Sequence, residues 1–256
     1  MAESGGRTAA GTPQLPLALR YPPEQRFAHY IGAPAGAIEQ LRALACGAVE
    51  RESAVQGTQA MHTQACAPDW VYLAGAAGTG KTHLALALCA EAEQAGRRAA
   101  YLPLAAGAGR LRQALEALDG HQVIALDGVE AVAGTRDDEV ALFDFHNRAR
   151  QAGLALLYTA SAIPDALPLV LPDLRSRLSQ CTRVVLQTLD DDGRRALLRD
   201  RAQRRGLVLE DAAIDWLLTR MGRETGQLAA LLDQLDRASL AAHRRVTVPF
   251  LKQVLQ

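Results

Sequence analysis

Short apolar runs alternate with longer stretches of helical spacing along most of this chain, and that alternation sets the expected architecture. Residues 70–73, 99–104, 123–126, 154–159 and 183–186 are dense in Val, Leu, Ile, Ala and Tyr and too short for helices, so they read as buried strands. Between them, residues 83–95, 110–118 and 138–152 read as helices, and residues 35–51 as one more ahead of the first strand. The 138–152 segment is amphipathic, with Val140, Leu142, Phe143, Phe145 and His146 spread around its faces. Strands alternating with helices imply an α/β fold whose parallel sheet is covered on both faces. From residue 189 the strands stop. Asp190, Asp191 and Asp192 offer a helix start, residues 194–205 continue it, and 211–221, 224–243 and 249–255 read as three further helices. The expected division is a flexible N-terminal segment over 1–25, an α/β domain over 26–188 and a small all-α domain over 189–256.

Polar stretches punctuate this pattern. Residues 1–13 are small, polar and rich in Gly, which reads as a tail without a core. The apolar patch Gln14-Leu15-Pro16-Leu17-Ala18-Leu19 interrupts it, and Pro22-Pro23 stiffens the path onward. Residues 52–68 are polar and Gln-containing, most simply a surface loop, and no internal repeat is present.

The clearest chemistry lies between the first expected strand and its helix. Gly75-Ala76-Ala77-Gly78-Thr79-Gly80-Lys81-Thr82 is a complete P-loop. Its glycines let backbone N–H groups turn toward a polyphosphate, Lys81 reaches the β/γ-phosphates, and the Thr82 hydroxyl can ligate Mg²⁺. The following helix presents its N-terminus to the same phosphates. Gly75, Gly78, Thr79, Gly80, Lys81, Thr82 and His83 are therefore the nucleotide-binding candidates, with ADP or ATP plus Mg²⁺ as the expected ligands. Composition sharpens this reading. Of 28 basic side chains only Lys81 and Lys252 are lysine, so one of the two exceptions falls where a compact point charge suits the phosphates.

Charge and cysteines exclude other classes. Formal net charge is zero, so no global field draws the chain to nucleic acid or an anionic membrane. Cys46, Cys66, Cys89 and Cys181 show no metal-ligand spacing and read as thiols of a reduced compartment. With no signal-peptide pattern and no long apolar run, a cytoplasmic protein is expected.

The strand ending at Asp127 is the candidate for the second half of the site, with Asp127 placed to hold Mg²⁺ through water. A P-loop ATPase commonly carries a second carboxylate next, to orient the attacking water; here that residue is Gly128. Glu130 follows two positions later and is expected to point elsewhere. A site that binds nucleotide and hydrolyses it poorly is the expectation. Ser161 is a candidate polar sensor after the next strand, although a plain turn before Pro164 explains it equally.

Arginines carry the remaining candidates. In Leu171-Pro172-Asp173-Leu174-Arg175-Ser176-Arg177-Leu178 a helical turn bears two arginines near the end of the sheet domain. Such a side chain can neutralise transition-state charge in a neighbour's site, or can simply pair with Asp173. Arg223 could contact the bound nucleotide or pair with Glu224 or Asp215. The run Arg194, Arg195, Arg199, Arg201, Arg204 and Arg205 lies beside Asp190, Asp191, Asp192 and Asp200. It reads better as a charge-laced surface than as a phosphate-backbone contact.

Together these residues resemble the AAA+ family of the bacterial initiator DnaA, and more closely its shorter Hda relatives, from about Gln14 onward. Beyond the P-loop, the specific matches are the 171–178 segment, Leu232-Asp233-Gln234-Leu235-Asp236-Arg237-Ala238-Ser239, and the ending Val246-Thr247-Val248-Pro249-Phe250. The resemblance implies a P-loop sheet domain followed by an α-helical lid. It implies that Gln14, Leu15, Leu17 and Leu19 dock on the DNA polymerase sliding clamp. Phe27-Ala28-His29-Tyr30-Ile31-Gly32 corresponds to the linker beside the base pocket. By the same resemblance Arg177 is an arginine finger toward ATP on DnaA, and Arg223 a lid sensor toward the chain's own nucleotide, expected to be ADP. The partners implied are DnaA and the clamp, with DNA engaged indirectly and a homodimer compatible. The sequence ends after the lid, leaving no room for the initiator's DNA-binding domain, so a negative regulator of initiation is expected. An autonomous helicase-loader-type ATPase is the alternative. A small-molecule kinase fits worse, because its phosphate-gripping lid would lie within the sheet domain.

Overall fold

The computed structural model describes residues 24–47, 70–220 and 247–254. Five parallel strands form the sheet: β1 (Val71–Ala74), β2 (Ala99–Pro103), β3 (Val123–Asp127), β4 (Ala155–Ala160) and β5 (Thr182–Val185), in the order β2-β3-β4-β1-β5. All pairs run parallel. Alternate residues feed two separate cores, as a two-residue strand period requires. On one face Tyr72, Ile124, Leu126, Leu156 and Tyr158 pack with residues of helices α4 (Leu111–Glu116), α5 (Arg136–Gln151) and α6 (Pro172–Ser179). On the other, Val71, Leu73, Val123, Ala125 and Leu157 meet α1 (Ala37–Cys46) and α2 (Lys81–Gln94). Helix α2 is buried almost all round, from Leu84 to Ala90, because it lies between the sheet and α1, and its alanines permit the close approach.

Within the described residues the expected strands and helices are present with boundaries moved by at most three residues, except that α1 ends at Cys46, five residues before the expected 51. Helix α2 begins inside the P-loop at Lys81, and β2 runs straight into a short helix α3 (Leu104–Gly107) that the sequence pattern did not suggest. The helical turn expected around Arg177 is the two-turn helix α6, started by Pro172 at its first position. Helices α7 (Asp191–Arg204), α8 (Asp211–Arg220) and α9 (Val248–Val254) form a second unit around Leu198, Ala202, Ile214, Leu217 and Leu251. Asp190 caps α7, its Oδ1 accepting from Gly193 N at 2.8 Å. The N-terminal patch 14–19, the loop 52–68, the helix expected over 224–243 and Arg223 lie outside the described residues. Among the described residues no helix is long and apolar enough to cross a membrane.

One buried titratable group links this fold to pH. His146 on α5 is 1% exposed, edge-on to the Trp70 ring, with Nδ1 3.1 Å from the Tyr158 hydroxyl. Burial first, then the cations Arg177 and Arg150, push its pKa down to about 4. The unfolded chain takes that proton near 6.5. Between about 6.5 and about 4 the unfolded state thus binds more protons, and stability falls as pH falls. Acidification across this window is expected to cost up to about 3 kcal/mol from this group. Melting temperature followed from pH 7.5 to 4.5 should fall less steeply for His146→Asn than for the parent; equal slopes would exclude His146 as the cause.

Candidate nucleotide-binding site

The P-loop leaves β1 at Gly75 and enters α2 at Lys81. Gly78 and Gly80 take φ of +79° and +89°, which only glycine adopts without strain. Gly75 is required for space instead: a Cβ there would lie 2.8 Å from Thr79 Oγ1 and 2.9 Å from the Leu186 carbonyl oxygen. Lys81 Nζ donates to the carbonyls of Gly75 at 2.6 Å and Ala76 at 2.9 Å. Burial lowers its pKa, with Glu130 and Asp127 opposing. The ammonium is therefore held at the loop mouth, beside the N-terminus of α2 where phosphate oxygens would enter.

Asp127 ends β3 and closes the other side. Its Oδ2 accepts from Thr82 Oγ1 at 2.8 Å and from the Tyr101 hydroxyl at 2.7 Å, and its Oδ1 accepts from Thr159 Oγ1. Thr159, wholly buried, also accepts from Gly128 N at 3.0 Å. Thr82 and Asp127 form a hydroxyl–carboxylate pair suited to Mg²⁺, which takes one or two protein oxygens and completes its shell with water and phosphate. Among the described residues there is no cluster of three or more His, Cys, Asp or Glu that could hold a metal ion.

Gly128 has φ +85° and opens a 3-10 turn over Val129–Ala131. Glu130 lies on that turn, and its Oε2 accepts from Ser161 N at 3.0 Å, just past the end of β4, so it is not aimed clear of the site as expected. Ser161 contributes only this backbone contact, whereas Thr159 puts its hydroxyl on Asp127. A polar residue closing an otherwise apolar strand was the available signal for Thr159.

Beside the P-loop, an open cleft is lined by Tyr30, Ile31, Gly78, His83, Leu197 and Arg201, among others. Tyr30 donates its hydroxyl to the Thr79 carbonyl at 2.6 Å, and its ring rests on Gly80, where a Cβ would come 2.5 Å from Cε2. Burial pushes the Tyr30 phenol up to about 12. His83 faces the linker, donating from Nε2 to the Arg26 carbonyl at 2.9 Å, and its ring centroid lies 5.7 Å from that of Tyr30. Burial, offset in part by this bond, lowers its pKa.

The arginine run of α7 divides. Arg195 pairs with Asp215 at 2.7 Å, Arg199 with Asp211 at 2.6 Å, Arg204 with Asp200 at 2.7 Å, and the buried Arg194 with Asp191 at 3.3 Å. These ion pairs support the charge-laced reading. Arg201 departs from it: its side chain lines the cleft, and burial lowers its pKa with Glu24 opposing. Nothing in the local sequence separates Arg201 from its neighbours.

Helix α6 lies on the sheet face opposite α2. Its start is held by Glu139, a wholly buried carboxylate at the beginning of α5. Glu139 accepts from Gly134 N at 2.7 Å, Val170 N at 3.0 Å and Leu171 N at 2.7 Å. Leu174 and Leu178 bury the inner face of α6. Arg175 Nη2 donates to the Leu169 carbonyl and is thereby committed to the fold. Asp173 pairs with neither arginine, and the half-buried Arg177 guanidinium makes no ion pair or hydrogen bond among the described residues.

A parallel sheet with a P-loop after β1 and an aspartate at the end of β3 defines a nucleotide-binding protein of the P-loop class. The family model of ATPases associated with various cellular activities (AAA) matches residues 71–205, and the model of the Hda lid domain matches residues 191–255. The chain belongs to the AAA family and carries an Hda-type lid, as the resemblance implied. Its fold is similar to domain III of the Thermotoga maritima replication initiation protein DnaA, with a TM-score of 0.71 at 16% identity, covering 94% of this chain and 98% of that one. It is also similar to DnaA bound to AMPPCP and single-stranded DNA (0.63, 20%, 83% and 65%). A third likeness is to the Thermotoga maritima RuvB Holliday junction branch migration motor (0.56, 18%, 74% and 61%). The chain thus spans about two thirds of the length of that AMPPCP-bound DnaA. At these identities the likeness is one of fold.

Proposed function

We propose that this protein is a nucleotide-bound AAA+ regulator that restrains replication initiation by supplying Arg177 to ATP held on a DnaA partner. The observation that carries this reading is a division of labour. A complete P-loop with Asp127 is followed by Gly128, which has no side chain to orient water, while Arg177 on α6 has no partner among the described residues. The protein's own site then retains nucleotide, expected to be ADP, at Gly75, Gly78, Thr79, Gly80, Lys81, Thr82 and His83, with Arg223 reaching it from the lid. Mg²⁺ at Thr82 and Asp127 supplies charge neutralisation of the phosphates when bound. Gln14, Leu15, Leu17 and Leu19 dock in a groove of the sliding clamp, supplying a Gln head and apolar anchors. The Hda-type lid supports the coarser part of this reading, a DnaA-related regulator.

A reconstituted assay tests it. DnaA–ATP hydrolysis is followed with this protein, clamp and DNA together, and with each omitted. Stimulation should need both clamp on DNA and residues 14–19, and removal of that segment should abolish clamp binding. Absence of stimulation by the intact protein in the full mixture would discard the reading.

One observation favours a second reading, an autonomous ATPase of helicase-loader type. Glu130 lies near enough to Lys81 to raise its proton affinity, so a carboxylate is present close to the phosphate site. That reading expects appreciable turnover by the protein alone, stimulated by single-stranded DNA.

A further inference from the structure

Three hydroxyls from three different elements converge on Asp127. Thr82 of α2 at 2.8 Å and Tyr101 of β2 at 2.7 Å share Oδ2, and Thr159 of β4 takes Oδ1. An ionised carboxylate offers about four lone-pair sites, so most of them are met by neutral protein donors. Tyr101 arrives there through strand register: β2 pairs with β3, Tyr101 opposite Ala125 and Pro103 opposite Asp127. Thr159 accepts from Gly128 N, which leaves its hydroxyl proton directed at Asp127.

Each donor draws charge density from the carboxylate and weakens it as an acceptor for water on a metal ion. We propose that Tyr101 is a positioning residue that satisfies Asp127 without metal and so uncouples nucleotide retention from Mg²⁺. The carboxylate then keeps its place and its hydrogen bonds whether or not Mg²⁺ accompanies the nucleotide. Such a site suits a protein that holds nucleotide as a structural ligand and does not consume it. The inference rests on the nucleotide-retention part of the proposed function and on no contact with DnaA or the clamp.

The test is the Mg²⁺ dependence of affinity for a fluorescent ADP, titrated in excess Mg²⁺ and in EDTA. For the parent, the two dissociation constants should agree within about threefold. Tyr101→Phe keeps the ring and removes one donor, and its ratio should rise to about tenfold, the scale of one charge-assisted hydrogen bond. Thr159→Val removes the donor on the other oxygen and should move the ratio the same way, which keeps the test decisive if Tyr101→Phe folds poorly. An unchanged ratio in a variant that melts like the parent overturns the proposal. So does a parent ratio of tenfold or more, since Asp127 would then be coupled to Mg²⁺ despite its three hydroxyls. Neither result depends on stimulation of DnaA, so the two readings can fail separately.

Discussion

Arg177→Ala is expected to lower the stimulated hydrolysis of DnaA-bound ATP by about 10³–10⁵-fold, the range over which an arginine finger supplied in trans acts. The expectation is specific because the two arginines of α6 differ in their commitments. Arg175 is anchored on the Leu169 carbonyl, whereas Arg177 has no acidic or carbonyl partner for its guanidinium among the described residues. Removing Arg177 should therefore leave folding and the protein's own nucleotide affinity near parental. Arg177→Lys should recover little, since a compact ammonium cannot reproduce the planar fork that spans two phosphate oxygens. The measurement is single-turnover hydrolysis on DnaA with clamp-loaded DNA. Parental stimulation by Arg177→Ala would exclude the assignment, and a normal melting curve would confirm that the variant was folded.

Glu139→Ala should be the most destabilising single change near the site. The wholly buried carboxylate answers three backbone N–H groups, those of Gly134, Val170 and Leu171, which no other described group is placed to satisfy. Each orphaned buried donor costs about 1–3 kcal/mol. Relief of the carboxylate's own desolvation and entry of water return part of that, so the net loss is about 2–4 kcal/mol. For a chain of this length the melting temperature should drop by about 5–15 °C. Glu139→Gln keeps one acceptor oxygen and should lose less. Because Val170 and Leu171 lead directly into α6, stimulation of DnaA should fall as well, even at temperatures where the variant remains folded. A melting temperature within about 2 °C of the parent would show that the three donors find water freely.

The two variants separate chemistry from presentation. Arg177→Ala removes a group and leaves its platform intact, and Glu139→Ala loosens the platform and leaves the group. A parent-like fold with lost stimulation belongs to the first, and loss of both belongs to the second.

What could be read along the chain was whatever is written in consecutive residues. The P-loop spans eight neighbours, so its glycines, Lys81 and Thr82 declare phosphate chemistry without any tertiary information. Gly128 in place of a carboxylate is equally local, as is the alternation of short apolar runs with helical stretches that implied a parallel sheet. Strand order within that sheet, with β4 between β1 and β3, is not local, and it is what sets Thr159 beside Asp127. The same holds for Tyr101, 26 residues from Asp127, and Tyr30, 49 residues from Thr79. Glu139 reaches Val170 and Leu171 across 31 and 32 residues. Arg201 shares its local sequence with five other arginines, and only the docking of α7 over the cleft distinguishes it. The P-loop could be recognised from consecutive residues alone, with Lys81 as the candidate for phosphate and Thr82 as the candidate for Mg²⁺, because the loop is built from backbone turns among neighbours. Which distant hydroxyls satisfy Asp127, and which arginine of α6 stays uncommitted, emerged only on folding, because hydrogen bonds between separate elements depend on register and packing that no single segment encodes.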